Sequence, residues 1–246
     1  MGNPSIKKHD ATPVAQGYVG LNGNVTNYAG RNILGTSVEA GGRVDIAGAF
    51  MDLKGSVGTN YGVDANVGYK FDFKKDMGLE LSAGASMQGE FAKLEATQNL
   101  DITNGDTSVK LSQRAESGLG DYRLKAGVKY TYEPSWGKVK VGLEGGYRAA
   151  YGDLNYANPT IVDGSTGNTC VVNPDDKNLS QKISNMNLNS CYMKPGSIYQ
   201  NNVSGAYVTP TIEAEAYLGK KGLSAFGEAD MYSGKVGLRY TFGKNK

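Results

Sequence analysis

The sequence predicts an all-β protein, an antiparallel up-and-down barrel of about ten strands that crosses a membrane. Three observations predict it. Apolar and polar residues alternate with period two in segment after segment. The segments so marked run to roughly 9–14 residues, whereas strands of soluble proteins average nearer 5 or 6 and a bilayer takes about 9–11 tilted residues. The composition is also unusual for a soluble enzyme: 35 Gly, 16 Tyr and a single His in 246 residues. No run of about 18–20 apolar residues is present to form a helical span.

The elements follow in order. A first strand near Gln16–Thr26 sets Val19, Leu21 and Val25 on one face. The next runs from Ser37 toward Phe50, with Val38, Ala40, Val44 and Ile46 opposite Glu39, Arg43 and Asp45. A short third strand opposes Met51, Leu53 and Val57 to Asp52 and Lys54. The fourth opposes Val63, Ala65, Val67, Tyr69 and Phe71 to Asp64, Asn66 and Lys70. The fifth sets Leu79, Leu81, Ala83, Ala85 and Met87 against Glu80, Ser82 and Gln88. The sixth sets Tyr122, Leu124, Val128 and Tyr130 against Arg123, Lys125 and Lys129, and the seventh sets Val139, Val141, Leu143 and Tyr147 against Lys140, Glu144 and Arg148. Val208, Ile212 and Ala214 against Glu213 and Glu215 mark the eighth. Leu223 and Ala225 against Glu228 and Asp230 mark the ninth, and Val236, Leu238, Tyr240 and Phe242 against Lys235 and Arg239 the tenth. Ser108–Gln113 fits either an extended hairpin or a further strand, which leaves the count at ten or twelve.

No charged residue falls on any of the apolar faces. A soluble barrel would turn those faces inward, and a membrane barrel would turn them to lipid. Aromatics near the strand ends (Phe50, Tyr69, Phe71, Phe91, Tyr130, Tyr132, Tyr147, Tyr151) and Trp136 in a turn suit interfacial girdles. The Ala and Gly of the apolar faces would fill an interior poorly, and the balanced charges of the polar faces suit pairing in a narrow lumen. The membrane orientation is therefore expected. Glu39, Arg43, Asp45, Lys70, Glu80, Arg123, Lys125, Lys129, Glu144, Arg148, Glu213, Glu215, Glu228 and Arg239 are then lumen charges. Residues 14–243 are expected to form one barrel domain, preceded by a periplasmic tail, 1–13. One set of turns is short (near Ala49, Phe73–Met77, Glu133–Gly137 and Gly219–Gly222), and the opposite set includes long loops at 92–120 and 152–204. The short turns are expected on the periplasmic side and the long loops outside. Cys170 and Cys191 share the second long loop, where an oxidising exterior would allow a disulfide; the alternative is two free thiols.

The closing segment, with Val236, Leu238, Tyr240 and Phe242, resembles the C-terminal strand of bacterial outer-membrane proteins. In that family the last strand and its aromatic are read by the barrel assembly machinery, which gives Tyr240 and Phe242 the role of an assembly signal. Gly243–Lys246 follow Phe242 here, a departure from that pattern. The chain as a whole resembles the broad porin-like or surface-antigen group of small outer-membrane barrels. The resemblance implies an outer-membrane location in contact with lipid and lipopolysaccharide. The N-terminus lacks an apolar signal-peptide core and a myristoylation site, so a secretory signal is expected to have been removed.

Catalysis is not expected. Outer-membrane proteases, phospholipases and acyltransferases of this architecture use a His, and the single His, His9, precedes the first strand. Glu213 with Glu215, and Glu228 with Asp230, read as lumen wall rather than acid–base pairs. No cofactor or metal motif is present, and a net charge of +2 gives no sign of a nucleic-acid partner. Two functions remain. One is a narrow channel for ions or small solutes. The other is a non-conducting surface anchor or envelope-complex component whose loop 152–204 binds an external protein.

Overall fold

The structure, a computed structural model, describes residues 12–74, 76–91, 93–104, 107–156, 160–163, 169–171, 191–194, 198–219 and 222–243. The strands are β1 Val14–Tyr28, β2 Arg31–Ile46, β3 Ala49–Gly58, β4 Asn60–Lys74 and β5 Met77–Glu90, then β6 Leu94–Asn104, β7 Thr107–Ser117, β8 Gly120–Tyr132 and β9 Gly137–Tyr156. They continue with β10 Thr160–Asp163, β11 Thr169–Val171, β12 Cys191–Lys194, β13 Ile198–Tyr217, β14 Leu223–Ala229 and β15 Ser233–Phe242. The described residues contain no helix.

Ten strands close an antiparallel barrel in the order β1-β15-β14-β13-β9-β8-β5-β4-β3-β2, with β2 returning to β1. Closure leaves no sheet edge, the condition for a sheet to cross lipid without exposing unpaired backbone groups. The seam pairs Leu21 with Leu238 and Gly17 with Phe242, and the Phe242 ring lies over the position a side chain at Gly17 would occupy.

Two hairpins turn through Ala29–Gly30 (φ 48° and 103°) and Ala47–Gly48 (φ 51° and 88°). Positive φ at both central residues is the type I′ geometry, whose twist matches the flanking strands. The second turn corrects one expectation. It restarts the alternation, so Phe50 belongs to the inner face of β3 rather than to a girdle; it is 6 % exposed, with the Arg43 guanidinium 3.8 Å above its ring.

The chain divides into two compact units. The barrel unit comprises the described residues up to 91, 118–152 and 202–243, and the other comprises 93–117 and 153–201. Ser108–Gln113 lies in β7, which pairs with β6 as a separate two-stranded hairpin and adds no barrel strand. Arg114 pairs there with Glu95 on β6 and with Glu116 on its own strand. A three-stranded sheet, β11-β10-β12, also belongs to this unit.

That sheet overturns the disulfide. The two cysteines form no bridge. Cys170 stands opposite Ile161 and Cys191 opposite Asp163, on the two different edges of β10. Two strand spacings of about 4.8 Å exceed the Cα separation of about 7 Å that a bridge tolerates. Proximity in sequence gave no sign of a strand between them.

The barrel is apolar outside and polar inside. Among the described residues, nine hydrophobic residues are buried against fourteen polar or charged ones. Leu21, Val208 and Val236 are 65 %, 70 % and 67 % exposed, while Glu39 and Asp121 are each 1 % exposed. A soluble protein does not leave an encircling apolar surface in water while burying its charges. Alternation left the direction of the faces open, and the closed sheet turns the apolar faces outward and the polar faces inward.

Candidate functional site in the barrel lumen

Each barrel strand contributes alternate residues to the lumen, so the polar faces converge there. The largest group is a five-member cluster. Glu39 on β2 accepts from Lys235 (2.8 Å) and Arg239 (2.6 Å) on β15. Glu228 on β14 accepts from the same two bases at 2.9 and 3.0 Å and from Lys54 on β3 at 3.1 Å. The Lys54–Glu228 pair spans the lumen, since β2, β1 and β15 lie between those strands.

Further pairs line the remaining wall. Arg43 bonds Asp45 (2.9 Å) and reaches Glu80 (3.3 Å), which Lys140 also meets at 2.6 Å. Lys125 bridges Asp64 and Glu144, and Lys129 meets Glu213. Arg123 holds Asp121 (3.1 Å) and Asp230 (2.6 Å), while Arg148 holds Asp121 at 2.8 Å. Glu215 accepts from the Ser224 hydroxyl. Lys70 lies 3.3 Å from Asp72 and 3.6 Å from Glu133. Glu133 sits in the β8–β9 turn, beyond the strands. Burial raises its pKa, but Lys138 at 2.6 Å and Lys70 outweigh that and hold the carboxyl down at about 2.

The guanidinium groups are also sandwiched by rings. Arg239 lies 4.2 Å from the centre of the Tyr18 ring and 4.1 Å from that of Phe226; Arg148 lies 4.0 Å from Tyr232. Inward glycines make room for such rings. A Cβ at Gly68 would fall 2.5 Å from the Phe50 ring, and one at Gly41 would fall 2.6 Å from Tyr18.

The structure therefore brings Glu39, Glu228 and Arg239 into one cluster, and Arg43 and Glu80 into another. Arg148 pairs instead with Asp121, which lies outside the set of expected lumen charges. Asp121 directly follows the β8 start, where alternation is too short to assign a face. Tyr18, Phe226 and Tyr207 were also missed, because an aromatic on an inner face breaks the simple polar pattern. Tyr207 is 8 % exposed and donates to Glu144 at 2.8 Å. Tyr240 and Phe242 lie on the outer face, 48 % and 51 % exposed. His9 lies outside the described residues.

Between these pairs the lumen holds a cavity of about 940 Å³, lined by nine acidic and nine basic side chains. The acidic and basic side chains that line it balance in number. The described residues contain no group of three or more His, Cys, Asp or Glu placed to hold a metal. No protein-family model matches the chain, and no curated protein matches it.

Proposed function

We propose that the chain is a bacterial outer-membrane barrel whose lumen is a narrow, charge-lined pathway for small ions and solutes. The observation that carries the reading is the 940 Å³ cavity with balanced charged walls inside a closed ten-strand barrel. Ten strands lie close to the eight-strand limit at which side chains fill the interior, so large solutes do not pass. The apolar exterior suits contact with lipid and lipopolysaccharide, and the aromatic-ended β15 suits recognition by the barrel assembly machinery. Single-channel recording in planar bilayers tests the reading. Small, infrequent steps with little charge selectivity are expected. Silence over protein that still shows a heat-dependent gel shift would contradict it.

A second reading rests on the other unit. Strands β10, β11 and β12 of that unit form a sheet of their own. In this reading the barrel anchors a surface that binds an external protein. Loss of binding on deletion of residues 153–201, with bilayers silent throughout, would favour it over the channel.

A further inference from the structure

One ion pair crosses the lumen close to its diameter. Lys54 on β3 meets Glu228 on β14 at 3.1 Å. Three strands (β2, β1 and β15) separate them on one side of the wall, and five (β4, β5, β8, β9 and β13) on the other. The pair therefore divides the lumen into two sectors. The three-strand sector is occupied: Glu39 binds Lys235 and Arg239 there, and the Arg239 guanidinium is held between the Tyr18 and Phe226 rings.

The five-strand sector is the larger, and the open passage lies on that side. Strand register sets its wall at this level. Asp64 on β4 stands beside Lys54, and Glu213 on β13 stands beside Glu228. Lys125 and Lys129 on β8 complete the ring by binding Asp64 and Glu213. All six side chains line the lumen cavity. The ring is neutral, with bases at 54, 125 and 129 and acids at 64, 213 and 228.

Lys54 differs from the other bases that reach Glu228. Lys235 and Arg239 come from β15, next to β14, and each also binds Glu39. Without Lys54, both carboxylates keep both of those partners, and Asp64 keeps Lys125. Pairing of the buried acids thus does not require Lys54. Its side chain also faces more water than its neighbours: it is 28 % exposed, against 12 % for Lys125, 22 % for Lys129, 19 % for Lys235 and 14 % for Arg239. Holding so long a side chain across the lumen costs rotamer freedom. A cation that the local pairing does not need, set across the passage, is placed to act on what moves through.

We propose that Lys54 is the specificity-determining residue of the lumen: its stem limits the width of the opening, and its charge keeps the ring neutral. The proposal rests on the channel reading and names what restricts passage in it. Ions of either sign meet a neutral ring, so the unaltered barrel selects weakly between them. Removing the Lys54 charge leaves two bases facing three acids, a ring that favours cations.

Two variants separate width from charge. Lys54→Ala removes the arm. Lys54→Gln keeps an arm one atom shorter, whose amide still donates toward Glu228. Each is recorded in planar bilayers under a salt gradient beside the unaltered chain, with folding checked by the heat-dependent gel shift. Lys54→Ala should raise single-channel conductance by about twofold or more. Both variants should raise the cation-to-anion permeability ratio, read from the reversal potential, by about two- to threefold, the effect of one unit charge acting through a few ångströms of salty water. Lys54→Gln should show the smaller gain in conductance. If Lys54→Ala fails to fold, the reversal potential of Lys54→Gln decides alone. Conducting variants with the conductance and ratio of the unaltered chain overturn the proposal and leave the channel standing. A silent unaltered chain beside a conducting Lys54→Ala upholds Lys54 as the restriction and sinks the channel reading. Silence from all the folded proteins overturns both.

Discussion

Replacing Glu228 by Gln removes one of two negative charges from a cluster that holds three positive ones. Lys54, Lys235 and Arg239 all approach the Glu228 carboxylate within 3.1 Å, and Glu39 is the only other acid in the cluster. The amide keeps the shape and one acceptor but leaves Lys54 without its cross-lumen partner. Breaking a buried pair by deleting one member costs about 3–5 kcal/mol. Water screens part of that here, since Lys54 and Glu228 retain 28 % and 21 % side-chain exposure, so about 3 kcal/mol is expected. At about 2–4 °C per kcal/mol for a chain of this size, the thermal midpoint falls by about 6–12 °C. The assay is the temperature at which detergent-folded protein loses its fast-migrating form on an unboiled gel, at one fixed heating rate. Glu215→Gln is the control. Its carboxylate accepts from Ser224 rather than joining the cluster, so its midpoint should move by less than about 3 °C. Equal shifts for the two variants would refute the claim that the cross-lumen cluster braces the barrel.

Three further outcomes are expected. Leu238→Arg, midway along β15 on the outer face, should cost about 2–4 kcal/mol of folding stability in lipid, and Phe242→Arg at the strand end about 0–1; equal costs in a denaturant titration in vesicles would contradict the lipid-facing assignment. Glu133 has a folded-state pKa of about 2, below its ordinary 4.5, so its stabilisation is present above pH 4.5 and is lost as pH falls toward 2. That loss should be about 2 kcal/mol after screening, and Glu133→Gln should flatten the decline in midpoint across this window. Ala47→Asn, placing a residue tolerant of positive φ at the first central position of a type I′ turn, should raise stability by about 0.5–1 kcal/mol in the same titration.

The barrel was legible because its strands obey one rule at every turn of the chain. Period two fixed the strand positions, and the parity of the two turn sets fixed the antiparallel course. What escaped were features set by tertiary approach. Phe50 alternates with Ile46 and Gly48 only if the hairpin turn is ignored, and Ala47–Gly48 carries none of the usual Asn or Asp signals. Cys170 and Cys191 lie in a stretch whose short strands have too few residues to show a period, so the intervening β10 left no trace. Asp121 and Arg148 are paired through register between β8 and β9, which alternation does not specify. The close approach of Gly152 to Tyr28 depends on a crossing between strands far apart in the wall. A lone glycine near the end of a strand carries no mark of such a crossing.

The central claim is that the barrel is inside-out, with its apolar face in lipid and its charges in the lumen. A cysteine scan along β15 in liposomes, from Val236 to Tyr240 in the Cys170→Ser, Cys191→Ser chain, tests it most directly. A thiol reagent confined to the acyl region should label positions 236, 238 and 240 and spare 237 and 239. The reverse phase, or labelling with no period of two, would contradict the account.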